Sequence, residues 1–428
     1  MSQPVTFAVC GCGARGLEAY APYQDRHPEE MKIVAGADIR PERLAMLRQR
    51  YHVPEDRCFA SDQELLACPR LADAMIVATQ DRQHVPTALA ALDKGYHVLL
   101  EKPISPSLEE CRALQAKAHE TGRAVVVCHV LRYTRFYSTL ESLLRRGAIG
   151  KIETIDAVEH VAYWHQAHSF VRGNWRRSDE TSPMILAKSC HDMDILRWLA
   201  GEPCLKVQSF GSLDFFRADR APEGAALRCL DGCRCKDDCP YDAEKIYITD
   251  PATGVHGKGR EWPCGVLAND PTEEKIREAL RTGPYGRCVF HCDNDVVDHQ
   301  TVALEFSDNI HATFTMTAFT QTCHRTIKVT GTLGEVEGDM TENVLHLRPF
   351  GRPEQIIDLR EESGETSGHG GGAAGLMKSF CRLISGRDPQ GPIQGLTSVD
   401  ASVESHVMAL AAEASRLAGG ATIALADF

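Results

Sequence analysis

A chain of 428 residues is longer than one hydrophobic core ordinarily serves, so two lobes are expected. With 43% hydrophobic and 25% charged residues and a formal net charge of −12, the composition is that of a globular protein. It excludes the clustered basic surface that a nucleic-acid backbone or an anionic membrane requires, and leaves a small molecule as the expected ligand. The opening MSQPVTFAVCGCG lacks a basic stretch followed by a long apolar run, and no segment is long enough to span a bilayer, so a cytoplasmic location is expected. The 17 cysteines are odd in number and scattered over a chain able to build a core, which reads as reduced thiols rather than a disulfide framework.

From Val5 to about Cys128, short apolar runs alternate with amphipathic stretches, the pattern of βαβ units around a parallel sheet. Strands are predicted at Val5–Cys10, Lys32–Ala37, Ala74–Ala78, His97–Leu100 and Ala124–Val127, and helices at Pro41–Arg50, His84–Lys94 and Leu108–Glu120. Residues 1–128 are therefore expected to form a doubly wound α/β domain of the Rossmann type. Residues 129–428 change character. Helices are predicted at Phe136–Arg146 and Met184–Leu199, and strands at Lys151–Val161, Thr301–Phe306, Ile310–Thr317 and Thr326–Thr330. The short turn between Phe306 and Ile310 favours antiparallel pairing, so this lobe reads as α+β. A Cys-, Gly- and Pro-rich stretch at about 213–292 has weak periodicity, reads as an insertion, and is so poor in apolar pattern that it needs another source of folding energy than a core. A flexible glycine-rich patch is expected at Glu361–Gly375, then an amphipathic helix at Val399–Leu417.

Gly11-Cys12-Gly13-Ala14-Arg15-Gly16 directly follows the first strand and opens a helix, the context in which such a turn holds a pyrophosphate against backbone N–H groups. Asp38 ends the second strand, where a carboxylate accepts hydrogen bonds from an adenosine ribose and repels a 2′-phosphate. NAD is favoured, while Arg40 keeps NADP open.

Glu101-Lys102-Pro103 closes a later strand at the carboxyl edge of the sheet, where open α/β folds bind ligands. With the glycine turn, Asp38, Thr79 and His84 before it, and His191-x-x-Asp194 ahead of Trp198 in the second lobe, the order of motifs resembles that of the Gfo/Idh/MocA oxidoreductases. The resemblance implies a second lobe built on a large, mostly antiparallel open sheet that often serves as a homo-oligomer interface, in a dimer or tetramer. It implies that Thr79, His84, Glu101 and Lys102 lie along the nicotinamide half of the cofactor, and a cis Lys102–Pro103 bond. His129, Arg132 and Tyr133 fall where the family crosses between lobes, His129 and Arg132 toward the cofactor and Tyr133 toward the substrate.

Oxidising an alcohol sends a hydride to the nicotinamide and a proton to a base, and an amine beside a positively charged ring loses its proton more readily. Lys102 is the expected base, or the group that binds the substrate oxygen while His191 relays the proton. The family's sugar dehydrogenases carry an Asp four residues before this histidine, where this chain has Ala187 followed by Lys188. That departure admits a second chemistry, transient oxidation of a glycoside followed by elimination, with Lys188 stabilising an enolate. A dinucleotide-sensing protein without catalysis is a third reading, disfavoured by Lys102 and His191 together.

The stretch from Trp164 to Arg176 mixes flat rings with polar forks, as a carbohydrate site does. Trp164, His165, His168, Arg172 and Trp175 are candidate substrate contacts, with Asp194 and a lid residue, His369. Cys229, Cys233, Cys235 and Cys239, with Cys288 further along, carry enough soft donors for a structural zinc. An iron–sulfur cluster and a set of free thiols remain open alternatives.

Overall fold

The computed structural model describes residues 3–360, 371–386 and 395–428. Six strands, β1 (Val5–Cys10), β2 (Met31–Ala37), β3 (Cys58–Phe59), β4 (Ala74–Val77), β5 (His97–Leu100) and β6 (Val125–Val127), form a parallel sheet in the order β3-β2-β1-β4-β5-β6. Both faces are covered. Phe7, Val9, Ile33, Ile76, Leu99 and Val126 point into one apolar cluster, and the alternate residues Ala8, Cys10, Ala35, Met75, Val77, Val98, Leu100 and Val127 point into another. Burial on two faces makes these strands near-continuous apolar runs, which is why the sequence marks them so well. The two-residue β3 carries no such signal.

A second sheet holds β7 (Ile152–His160), β8 (Cys204–Ser212), β9 (His299–Phe306), β10 (His311–Thr317), β11 (His324–Gly331), β12 (Gly334–Asp339), β13 (Val344–Pro349), β14 (Gln355–Asp358) and β15 (Ile423–Ala424). Their order is β14-β13-β12-β11-β7-β10-β9-β8-β15, with β7 and β10 parallel and the other neighbours antiparallel. One face carries Val302, Leu304, Phe306, Ala312, Phe314, Met316, Ile327 and Val329 against the helices Arg135–Arg145 and Cys190–Ala200. The alternation of buried and open residues along β9 and β10 leaves the opposite face bare.

Three expectations are corrected. The single helix expected at Met184–Leu199 is two, Met184–Ala187 and Cys190–Ala200, broken at Lys188-Ser189. The glycine-rich patch does not extend to Gly375: Gly372–Ser385 is a helix whose Ala373, Leu376, Met377 and Phe380 pack on the first sheet, capped by Gly371 at φ +81°. The Cys-rich stretch is not short of a core either. Phe216, Tyr241, Ile246, Tyr247, Ile248, Val289 and Phe290 pack with Ile276 and Leu280 of the Glu273–Thr282 helix. Aromatic residues spaced irregularly through turns build that core, so periodicity does not reveal it.

The last helix ties the lobes together. Val399 and Val403 belong to the first lobe's core, while Met408, Ala409, Ala411 and Ala412 belong to the second's. Within the second lobe, the buried Arg325 of β11 pairs with Asp192 of the Cys190–Ala200 helix at 2.8 Å and with Glu159 of β7 at 2.5 Å. Lys188 reaches the same Glu159 at 3.1 Å. Removing one partner strands buried charge, so Arg325→Met is expected to cost about 3–5 kcal/mol in urea unfolding. A loss below about 1 kcal/mol, the value of an exposed pair, would show that the network is solvated.

Candidate active site

The three glycines of the turn serve three purposes. Gly11 has φ +90°, and a Cβ there would lie 2.3 Å from the Ala78 carbonyl oxygen at the end of β4. A Cβ on Gly16 would lie 2.2 Å from the Gly11 oxygen, so this glycine permits the helix to leave so close to the turn. Gly13 has nothing within 4 Å, which leaves its face open as a cradle. Ala14 and Arg15 begin the helical segment Ala14–Tyr20, whose wide turns include an Ala21 N–H bond to Gly16 O at 3.1 Å. Asp38 faces the turn, accepting from Cys12 N–H at 2.7 Å and from Arg40 N–H at 2.8 Å. Beside it Ile39 is 85% exposed, a flat apolar surface at the strand end that the sequence pattern did not mark.

Glu101 is buried and accepts from Arg15 Nε at 2.6 Å, from the Tyr20 hydroxyl, and from the Lys102 N–H at 2.9 Å. Burial pushes its carboxyl up, but Arg15, Lys102 and the Tyr20 hydroxyl outweigh burial and bring it down to about 2. The guanidinium of Arg15 is thus spent on Glu101. The Lys102–Pro103 bond is cis, as the resemblance implied. His84 faces Pro103 O at 2.7 Å and Thr79 O at 3.2 Å through its two ring nitrogens. Ile104 N–H donates to His406 Nε2 at 2.8 Å, while His406 Nδ1–H donates to Ser402 O at 2.7 Å. The last helix therefore holds the Lys102 segment from behind, a role that no sequence motif marks. The Lys102 amine reaches across to the second lobe and donates to Ala187 O at 3.1 Å.

Next to that amine lies a buried histidine group. His129 stands edge-on to His191 with ring centres 5.6 Å apart and 5.5 Å from His406. Neither ring nitrogen of His129 has a partner, and Thr79 Oγ1 is likewise buried without one. Burial lowers His129 to about 4 and His406 to about 3, so both are neutral rings.

Several sequence-predicted contacts are placed elsewhere. Asp194 is fully buried in a two-pronged pair with Arg132, at 2.7 and 2.6 Å, so its carboxylate is committed to that guanidinium rather than turned to a ligand. The Tyr133 hydroxyl meets Thr397 at 3.1 Å. His168 bonds to the Tyr247 hydroxyl at 3.0 Å and stacks on Tyr285, while Arg172 is 1% exposed among thiols. Both belong to the core beneath the Cys-rich stretch, because the helical segment Gln166–Arg172 is buried on all sides. Trp175 Nε1–H donates to Asp81 Oδ1 at 3.3 Å and bridges the lobes. Trp164 and His165 keep partial exposure and meet the exposed Trp262, with ring centres at 5.1 and 4.9 Å. His369 lies outside the described residues. Lys188 is neutralised by Glu159, which removes it as a free cation for an enolate. The five cysteines line one cavity, although among the described residues no three His, Cys, Asp or Glu are arranged to hold a metal.

Comparison with known proteins agrees with this arrangement. The model of the Gfo/Idh/MocA oxidoreductase family's NAD-binding Rossmann fold matches residues 5–129, and the model of its C-terminal alpha/beta domain matches residues 141–388. YteT of Bacillus subtilis is 25% identical over 403 residues, which span 89% of this chain and 88% of YteT. Inositol 2-dehydrogenase 4 of Saccharopolyspora erythraea is 34% identical over 137 residues, 32% of this chain and 37% of that protein. Among solved structures, an inositol dehydrogenase homolog from Azotobacter vinelandii complexed with NADH and myo-inositol superposes with a TM-score of 0.67 at 17% identity, over 99% of this chain and 98% of the other. The WlbA dehydrogenase of Bordetella pertussis, in complex with NADH and UDP-GlcNAcA, gives 0.69 at 17% identity with the same shares.

The buried neutral histidines set an acid limit. His129, His168 and His406 are each lowered by burial, to about 4, 3 and 3. Below the ordinary value of about 6.5 the unfolded chain takes up protons that the folded one refuses, so stability is lost as pH falls from there toward about 3. Each such ring costs about 2 kcal/mol by pH 5. Unfolding curves at pH 7 and 5 should show a loss of several kcal/mol, with His168→Phe flattening it by about one ring's share; an unchanged slope in that variant would mean that His168 titrates freely.

Proposed function

The chain belongs to the Gfo/Idh/MocA family of NAD(P)-dependent oxidoreductases acting on CH–OH groups, and from that premise we propose that it moves a hydride between a secondary hydroxyl of a sugar or polyol and NAD. The observation that carries this reading is the Lys102 amine, aimed from the end of the parallel sheet across to Ala187 and next to the His129–His191 pair. The residues fit the cofactor: an open face at Gly13, an acid at Asp38, and an unpartnered buried hydroxyl at Thr79. When bound, the nicotinamide supplies the hydride acceptor or donor.

Each protein group then has a task. Asp38 binds ribose hydroxyls and repels a 2′-phosphate. Glu101 fixes the backbone of Lys102 and anchors Arg15, so the glycine turn and the amine keep one spacing. Lys102 exchanges its bond to Ala187 O for one to the substrate hydroxyl and takes the proton that leaves the oxygen as the hydride leaves the carbon. His191 passes that proton onward. Trp164, His165 and Trp262 present ring faces to the C–H side of a sugar or cyclitol. The dehydrogenases of inositol among the relatives support a polyol of this kind. The elimination reading is weakened by the pairing of Lys188 with Glu159. A homo-oligomer through the bare face of the second sheet, in the cytoplasm where the described cysteines form no disulfide, completes the proposal.

Polyols and nitrophenyl glycosides offered with NAD separate the two chemistries. NADH should accumulate with a polyol; nitrophenol release without net NADH would replace dehydrogenation by transient redox elimination. Lys102→Met should lower kcat/KM at least about 100-fold while NADH affinity by fluorescence stays near wild type, and unchanged turnover would remove Lys102 from the mechanism. Asp38→Ser should shrink the NAD over NADP preference in kcat/KM by about tenfold or more, equivalent to about 1.4 kcal/mol; an unaltered ratio would mean that Asp38 does not read the ribose.

A further inference from the structure

The Cys-rich stretch holds a charge that the redox reading does not use. Arg172 is 1% exposed, yet its donors go to the carbonyl oxygens of Arg287 and Tyr241, both at 2.7 Å, and to Cys229 Sγ at 3.7 Å. Its other neighbours are the Tyr247 hydroxyl and the thiols of Cys288 and Cys292, and among the described residues no carboxylate pairs with it. A buried guanidinium without a counter-ion is costly, and neutral thiols do not balance it.

What surrounds that cation is a set of five thiols. Cys229, Cys233, Cys235, Cys239 and Cys288 line one small cavity together with Arg172. The backbone builds this convergence. Arg228 and Arg287 form an isolated antiparallel bridge, Cys229 N–H donates to Gly286 O at 3.0 Å, and Cys288 N–H donates to Leu227 O at 2.9 Å. Two cysteines distant in sequence are thus clamped side by side. Cys239 closes the opposite side through a bond from its N–H to Cys235 O at 3.0 Å.

Metal ligation turns such thiols into thiolates at neutral pH and releases their protons. Four thiolates on one divalent zinc carry a net charge of about −2, the counter-ion that Arg172 lacks, and Arg172 Nη2 already lies 3.7 Å from Cys229 Sγ. We infer that Cys229, Cys239 and Cys288, with one of Cys233 and Cys235, bind a single structural zinc ion whose charge partner is the buried Arg172. The thiols surround the cavity without three of them yet meeting at one ligating point. Binding would therefore need the half-buried turn carrying Cys233 and Cys235, which follows Gly232 at φ +74°, to bring one of those thiols inward. Zinc would then fix Arg172 and, through it, the Gln166–Arg172 segment that follows Trp164 and His165. The inference does not depend on which alcohol is oxidised.

Full-length protein purified without chelator and reconstituted with zinc chloride should hold about one zinc per chain by mass spectrometry. Cys239→Ser/Cys288→Ser should hold less than about a tenth of that, whereas Cys323→Ser, exposed and outside the cavity, should match wild type. Zinc X-ray absorption of the wild type should show a sulfur-only shell at about 2.3 Å, a reading that stands even where the double variant does not fold. Absence of zinc after reconstitution, equal zinc in the double variant, a shell of nitrogen or oxygen, or iron with acid-labile sulfide in its place would each overturn the assignment.

Discussion

The buried carboxylate of Glu101 is the constraint on which the arrangement rests. It sits at the end of β5, accepts from Arg15 of the glycine turn, from the Tyr20 hydroxyl and from the backbone of Lys102, and stays ionised because those donors outweigh its burial. A single side chain therefore sets the distance between the place where a pyrophosphate binds and the place where an amine acts. The short strand turns at the carboxyl edge of the sheet would not by themselves fix that spacing, since each leaves its loop with independent freedom.

Around this anchor the molecule sorts its charges with care for burial. The buried Arg132 and Asp194 pair with each other, and Arg325, Asp192, Glu159 and Lys188 form a second balanced set. The buried His129 and His406 are kept neutral by that burial. Arg172 has no such carboxylate beside it among the described residues, and its buried cation is what makes the neighbouring thiols chemically interesting. The C-terminal helix contributes to each part: it joins the two cores, and its His406 holds the segment just after Lys102.

Legibility in the sequence followed the physics of each element. Strands buried on two faces were visible as continuous apolar runs, and helices with one apolar stripe by their period of 3.6 residues. The break at Lys188-Ser189 was not, since a run of buried residues through Met184–Leu199 looks continuous whether or not the helix turns a corner. His168 and Arg172 looked like ligand contacts because polar side chains beside aromatics suit a sugar site; the same mixture also suits a polar core, and only the packing of Tyr247, Tyr285 and Tyr241 around them distinguishes the two.

What the sequence determined by itself was local: the glycine turn with its acid at Asp38, the Glu101-Lys102-Pro103 edge, the order of the motifs and hence the family. These depend on residues within a few positions of one another, where backbone geometry ties spacing to shape. What only the tertiary structure decided was partnership at long range: that Lys102 meets Ala187, that Lys188 is neutralised by Glu159, that His406 supports the active segment, and that Cys229 lies beside Cys288. Such pairings arise from how the two sheets and the last helix pack, and burial then decides whether a polar side chain is free to serve a ligand or is already committed to the protein.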